Sequence, residues 1–137
     1  MPNKSYAVEW LYFSKRNLEI AQLLFDVGHY EDAVGIDLQQ SLEKMFKAIL
    51  AWDSIKIPKD HDLVKLYFLV EQTIPLTQDE IILLRKATNY FKEDRYPNPY
   101  YTLPPREEIK EVLDFTNTLF KEICTILNIS IDEIKAQ

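Results

Sequence analysis

The chain has 137 residues, of which 47% are apolar and 12% aromatic, with two glycines and one cysteine. That length suits one core, the composition excludes disorder and collagen-like or glycine-built β architectures, and a lone cysteine, Cys124, excludes an intrachain disulfide framework and suits a reducing, cytoplasmic setting. Sixteen Lys and Arg against 22 Asp and Glu leave a net charge of -6, which argues against a broad nucleic-acid or anionic-membrane surface.

From Ala7 to Phe25, Ala7, Trp10/Leu11, Ser14, Leu18, Ala21 and Leu24/Phe25 recur at the spacing of one helical face. Gly28 follows as a left-handed cap, and a second helical pattern restarts at Tyr30 and runs through Ala33, Val34, Leu42, Met45 and Phe46 to Ile49/Leu50. The short turn between them predicts an antiparallel pair. Pro58 breaks the pattern, Asp60 is placed to cap a third helix carrying Leu63, Leu66/Tyr67 and Val70, and Pro75 closes it. Thr77 and Glu80 have the spacing of a capping box, which predicts a fourth helix from Gln78 to Phe91. Residues 92–105 hold four of the seven prolines and read as a loop. A fifth helix starts near Pro104/Pro105, with Glu107 and Glu108 at the positive end of its dipole, and runs to Leu127. Ser130 and Glu133 repeat the capping-box spacing and predict a last helical turn to Lys135. Period-2 alternation is confined to short stretches, so residues 1–137 read as a single all-α domain, an up-and-down bundle.

No apolar run approaches the roughly 20 residues that cross a bilayer, and the N-terminus lacks the apolar stretch of a signal peptide, so neither spanning nor export by that route is expected. Gly28 and Gly35 are too few for a phosphate-cradling loop, and His29, His61 and Cys124 too few for a zinc set, so no cofactor or metal is expected. Cys124 lies beside the apolar stripe of the fifth helix and reads as buried packing.

The second helix carries a polar ridge. Gln40, Glu43 and Lys47 share a face among apolar neighbours. Such a ridge is either an ion-paired strip that supports the bundle or a dimer seam, or one wall of a ligand site with Lys44 or Lys47 available to phosphate. In the proline-rich loop, Arg95 stands beside Tyr96, with Tyr100 and Tyr101 following. A forked cation among aromatic faces recognises phosphate and stacks bases, or else forms a rigid plug with Arg95 paired to Glu43.

These residues bear a family resemblance. The opening helix with Trp10 and Ala21, the turn Gly28-His29-Tyr30 followed by Ala33, the block Gln39-Gln40-Ser41-Leu42-Glu43-Lys44 with Lys47-Ala48, the run His61-Asp62-Leu63-Val64-Lys65-Leu66, and Arg95-Tyr96-Pro97 stand in the order and spacing of a HEPN domain. The name abbreviates "higher eukaryotes and prokaryotes nucleotide-binding". The resemblance implies four main helices plus a shorter one, usually as a homodimer, and often a small nucleotidyltransferase as partner in a toxin-antitoxin-type module.

Many members are metal-independent ribonucleases whose motif is an arginine followed, four to six residues on, by a histidine. Here the last histidine is His61, and Arg16 is followed at the permitted spacings by Ala21, Gln22 and Leu23. The resemblance therefore implies a subgroup without that motif, and a non-catalytic subunit binding a nucleotide or partner through Gln40, Glu43, Lys44, Lys47, His61, Arg95 and Tyr96. The alternatives are a HEPN ribonuclease with a divergent site and a purely structural homodimer.

Overall fold

The computed structural model describes residues 2–93 and 103–135. Among them are six helices, α1 (Lys4–Asp26), α2 (Glu31–Trp52), α3 (Leu63–Val70), α4 (Gln78–Glu93), α5 (Arg106–Ile126) and α6 (Ile131–Lys135). The long helices α1, α2, α4 and α5 are the four main members of the expected bundle, with α3 as the short extra helix and α6 as the terminal turn. No helix among the described residues is long and apolar enough to cross a membrane.

Local chemistry explains the boundaries. The Asn3 side chain accepts from the Tyr6 amide at 3.2 Å, so α1 starts a turn earlier than its apolar stripe. Thr77 and Glu80 form the full capping box, the Thr77 amide donating to Glu80 Oε1 at 2.9 Å and the Glu80 amide to Thr77 Oγ1 at 3.2 Å. The Ser130 box is half made. Its hydroxyl accepts from the Glu133 amide at 3.2 Å, while the Glu133 carboxylate turns to Lys4 on α1, also at 3.2 Å.

The cap of α3 differs from the expectation. Asp62, not Asp60, accepts from the Val64 and Lys65 amides, and Asp60 instead accepts from the Asp62 amide and shapes the approach. Gly28, Ser54 and Asn128 all follow helix ends with positive φ, and the next amide reaches back five residues each time: His29 to Leu24, Ile55 to Leu50, Ile129 to Cys124. Three helices thus end in the same left-handed cap, of which only Gly28 is glycine.

α2 is the central element and packs on α1, α3, α4 and α5. Leu38, Leu42, Met45, Phe46 and Ile49 are wholly buried along it, each contributing about 1.5–3 kcal/mol of transfer free energy. Buried Ser14 on α1 donates to the Ser41 carbonyl at 2.8 Å and closes the α1–α2 contact.

Gly35 lets α4 approach α2, because a Cβ there would lie 2.9 Å from Cγ of Tyr90. The Tyr90 hydroxyl in turn donates to Glu108 on α5 at 2.5 Å, and burial, with Glu108 beside it, raises its pKa. Arg106 stacks over the Phe25 ring at 4.0 Å and donates to the Phe25 carbonyl at 2.6 Å, pinning the start of α5 to the end of α1.

Candidate functional site

The polar centre of the molecule lies on α2, where Gln39, Glu43 and Lys47 stand four residues apart and form one line along the helix. Glu43 and Lys47 are both buried, with Lys47 Nζ 2.8 Å from Glu43 Oε2. Glu43 Oε1 accepts from Gln39 Nε2 at 3.1 Å and lies 2.8 Å from His61 Nδ1. Gln39 Nε2 also donates to the His61 carbonyl at 3.1 Å, so α2 holds both the ring and the backbone of the residue preceding the α3 cap. Burial pushes the Glu43 carboxyl upward, but the bonds from Lys47, His61 and Gln39 together outweigh it and hold the group below its ordinary value.

Lys44 faces another way. Its ammonium donates to Asn17 Oδ1 at 2.7 Å, and Asn17 Nδ2 donates to Asp37 Oδ1 at 3.0 Å, a chain across the α1–α2 groove. Burial lowers the Lys44 pKa against the pull of Glu43 and Asp37, and burial raises that of Asp37 against the Asn17 bond and Lys44.

The structure therefore brings Glu43, Lys47 and His61 into one cluster, with Gln40 attached through its 2.8 Å bond to Gln39 Oε1. Lys44 belongs to the neighbouring network. Arg95 and Tyr96 lie outside the described residues. Lys47 has its ammonium committed to Glu43 and 5.8 Å from the centre of the Trp10 ring, whereas His61 leaves about half of its side chain, 54%, open to solvent. Among the described residues no three His, Cys, Asp or Glu side chains gather as metal ligands. A separate cleft of about 560 Å³ between α5, α6 and Lys4 contains none of the residues singled out from sequence as site candidates.

Gln39, Asn17 and Asp37 are members of the site that sequence reasoning missed. The spacing of Gln39 to Glu43 was a usable signal, since it matches that of Glu43 to Lys47. Asn17 and Asp37 meet only through the pairing of two helices.

The HEPN domain family model matches residues 7–127, which is most of the chain. The chain belongs to the HEPN family. As a HEPN protein it is similar in fold to TT1696 from Thermus thermophilus, with a TM-score of 0.73 and 21% identity over 88% of this chain and 97% of that one. It is similar also to ST0689, described as an archaeal HEPN homologue, with a TM-score of 0.67 and 19% identity over the same shares. No curated protein matches the sequence significantly. At these identities the two structures speak to the HEPN fold alone.

Proposed function

We propose that this HEPN chain is a non-catalytic subunit of a cytoplasmic two-component module of toxin-antitoxin type, binding a small nucleotidyltransferase protein and a nucleotide. The observation that carries the reading is the internal satisfaction of the α2 centre. Glu43 receives Lys47, His61 and Gln39, so the carboxylate and the ammonium that could serve chemistry are spent on each other inside the fold. The sequence supports it, since no arginine is followed at the ribonuclease spacing by histidine. The half-buried Lys44 and Gln40 and the half-exposed His61 border this centre and, with Arg95 and Tyr96, are the residues we assign to recognition.

The test is to tag the chain in its native host, identify what co-elutes by mass spectrometry, and titrate the purified protein with ATP by calorimetry. A stoichiometric nucleotidyltransferase whose affinity falls in Lys44→Ala combined with Arg95→Ala supports the proposal. Unchanged affinity in that variant removes the site assignment, and absence of any such partner removes the module.

One observation favours the ribonuclease alternative. A buried carboxylate beside Nδ1 of a half-exposed histidine is how general bases are oriented, and RNA supplies its own 2′-hydroxyl nucleophile. Cleavage of an RNA panel that persists in chelator and is lost in His61→Asn establishes that reading and overturns the non-catalytic one.

A further inference from the structure

The cations on α1 and α2 are Lys4, Lys15, Arg16, Lys44 and Lys47. Lys4 is paired with Glu133, Lys15 with Glu19 and Lys47 with Glu43. Arg16 and Lys44 have no carboxylate at ion-pair distance among the described residues, and these two converge on one ring. The guanidinium carbon of Arg16 lies 5.9 Å from the centre of Phe13 and 5.7 Å from that of Tyr12, and Lys44 Nζ lies 6.0 Å from the centre of Phe13. The Phe13 side of this arrangement is open, with 47% of the residue exposed.

The local hydrogen bonds leave the two cations available. Asn17 Oδ1 accepts from the Lys44 ammonium at 2.7 Å while Asn17 Nδ2 donates to Asp37 Oδ1 at 3.0 Å, so an amide stands between Lys44 and the Asp37 carboxylate. Arg16 is held by aromatic faces, which attract a cation without occupying its N–H donors. Burial first, and then Arg16 and Lys47, lower the Lys44 pKa against Glu43 and Asp37, so the ammonium gains from an anion that arrives beside the ring.

We infer that Arg16, Lys44 and Phe13 form a seat for a phosphate monoester with a planar ester group, its phosphoryl oxygens on the guanidinium fork and the ammonium and its ester group against the open Phe13 ring. Two cations from two helices match a phosphoryl group, with three acceptor oxygens and close to two negative charges at neutral pH, better than they match the single charge of a carboxylate. The exposed ring supplies the apolar face that inorganic phosphate has no use for. The seat shares Lys44 with the recognition surface proposed above but rests on neither the nucleotidyltransferase nor ATP, so the two readings fail separately.

The experiment is NMR titration of the isotope-labelled full chain with phenyl phosphate, inorganic phosphate and benzoate near neutral pH. Phenyl phosphate is expected to bind tightest of the three, to shift the Arg16 side-chain signal and the amides of residues 12–17, and to weaken as salt is raised. Arg16→Gln and Lys44→Gln are each expected to weaken it about tenfold, with unchanged helicity by circular dichroism. Arg16 is exposed, so its variant carries the test even if Lys44→Gln loses structure. Phe13→Leu is expected to remove the preference for phenyl phosphate over inorganic phosphate. Lys121→Gln, which removes an exposed cation from α5, is expected to leave binding unchanged. Equal weakening in Lys121→Gln reduces the effect to general charge attraction and overturns the seat, as does the absence of any response at Arg16. Benzoate bound as tightly as phenyl phosphate overturns the phosphoryl assignment.

Discussion

Lys47 Nζ lies 2.8 Å from Glu43 Oε2 with both side chains buried, a paired charge beside the wholly buried Leu42, Met45 and Phe46 of α2. Removing one partner leaves the other uncompensated in the interior. Glu43→Ala is expected to cost about 3–5 kcal/mol in urea denaturation, while Glu43→Leu combined with Lys47→Met leaves stability within about 1 kcal/mol of native or raises it. A double variant as damaged as the single one would show that Glu43 matters through His61 and Gln39 more than through Lys47.

The acid dependence of stability contains two opposed contributions. Glu43 is held below its ordinary value of 4.5, so the folded state binds fewer protons at that group than the unfolded chain. Its contribution is present above that pH and lost as pH falls through the lowered folded value. Asp37 is raised above 3.8 by burial, so its contribution is full below that pH and lost as pH rises through the raised value. Asp37→Asn is therefore expected to be more stable than native at pH 7, whereas Glu43→Gln is less stable there and loses less on acidification. Denaturation midpoints from pH 3 to pH 7 check both signs.

Cys124 is buried on α5, and burial pushes its thiol up to about 11. Only about a thousandth of it is thiolate at pH 8, so Ellman's reagent is expected to react slowly with the native chain and promptly in denaturant. Prompt reaction in buffer alone would mean that the end of α5 opens locally far more readily than the core.

Much of the fold was legible because its signals are local. The Thr77–Glu80 box, the acidic first turn of α5 and the apolar stripes each lie within a few residues of the feature they specify. The site was legible only where it shares that property. Glu43 and Lys47 are one turn apart on α2, but the choice of Gln39 over Gln40 as the third member depends on which side of α2 meets His61, 22 residues away. Asn17 and Asp37 are 20 residues apart and come together by antiparallel pairing, which no local pattern encodes. Asp60 and Asp62 both suit a cap, and chain geometry decides between them.

The two glycines are required for different reasons, and alanine separates them. Gly28 has φ of +74° and nothing within 4 Å of an added Cβ, so Gly28→Ala meets only the backbone penalty of a left-handed residue, about 1–2 kcal/mol. Gly35 is helical, but its added Cβ would sit 2.9 Å from Cγ and 3.2 Å from Cβ of Tyr90, the near end of that side chain, which cannot swing aside without moving α4. Gly35→Ala is expected to cost about 1–3 kcal/mol through overpacking, despite the gain in helix propensity. The discriminating measurement is the background of Tyr90→Ala. There the Gly35→Ala penalty shrinks or reverses, since the ring is gone and propensity remains, whereas the Gly28→Ala penalty is unchanged. Equal penalties for Gly35→Ala in both backgrounds would show that α4 does not rest on α2 through this contact.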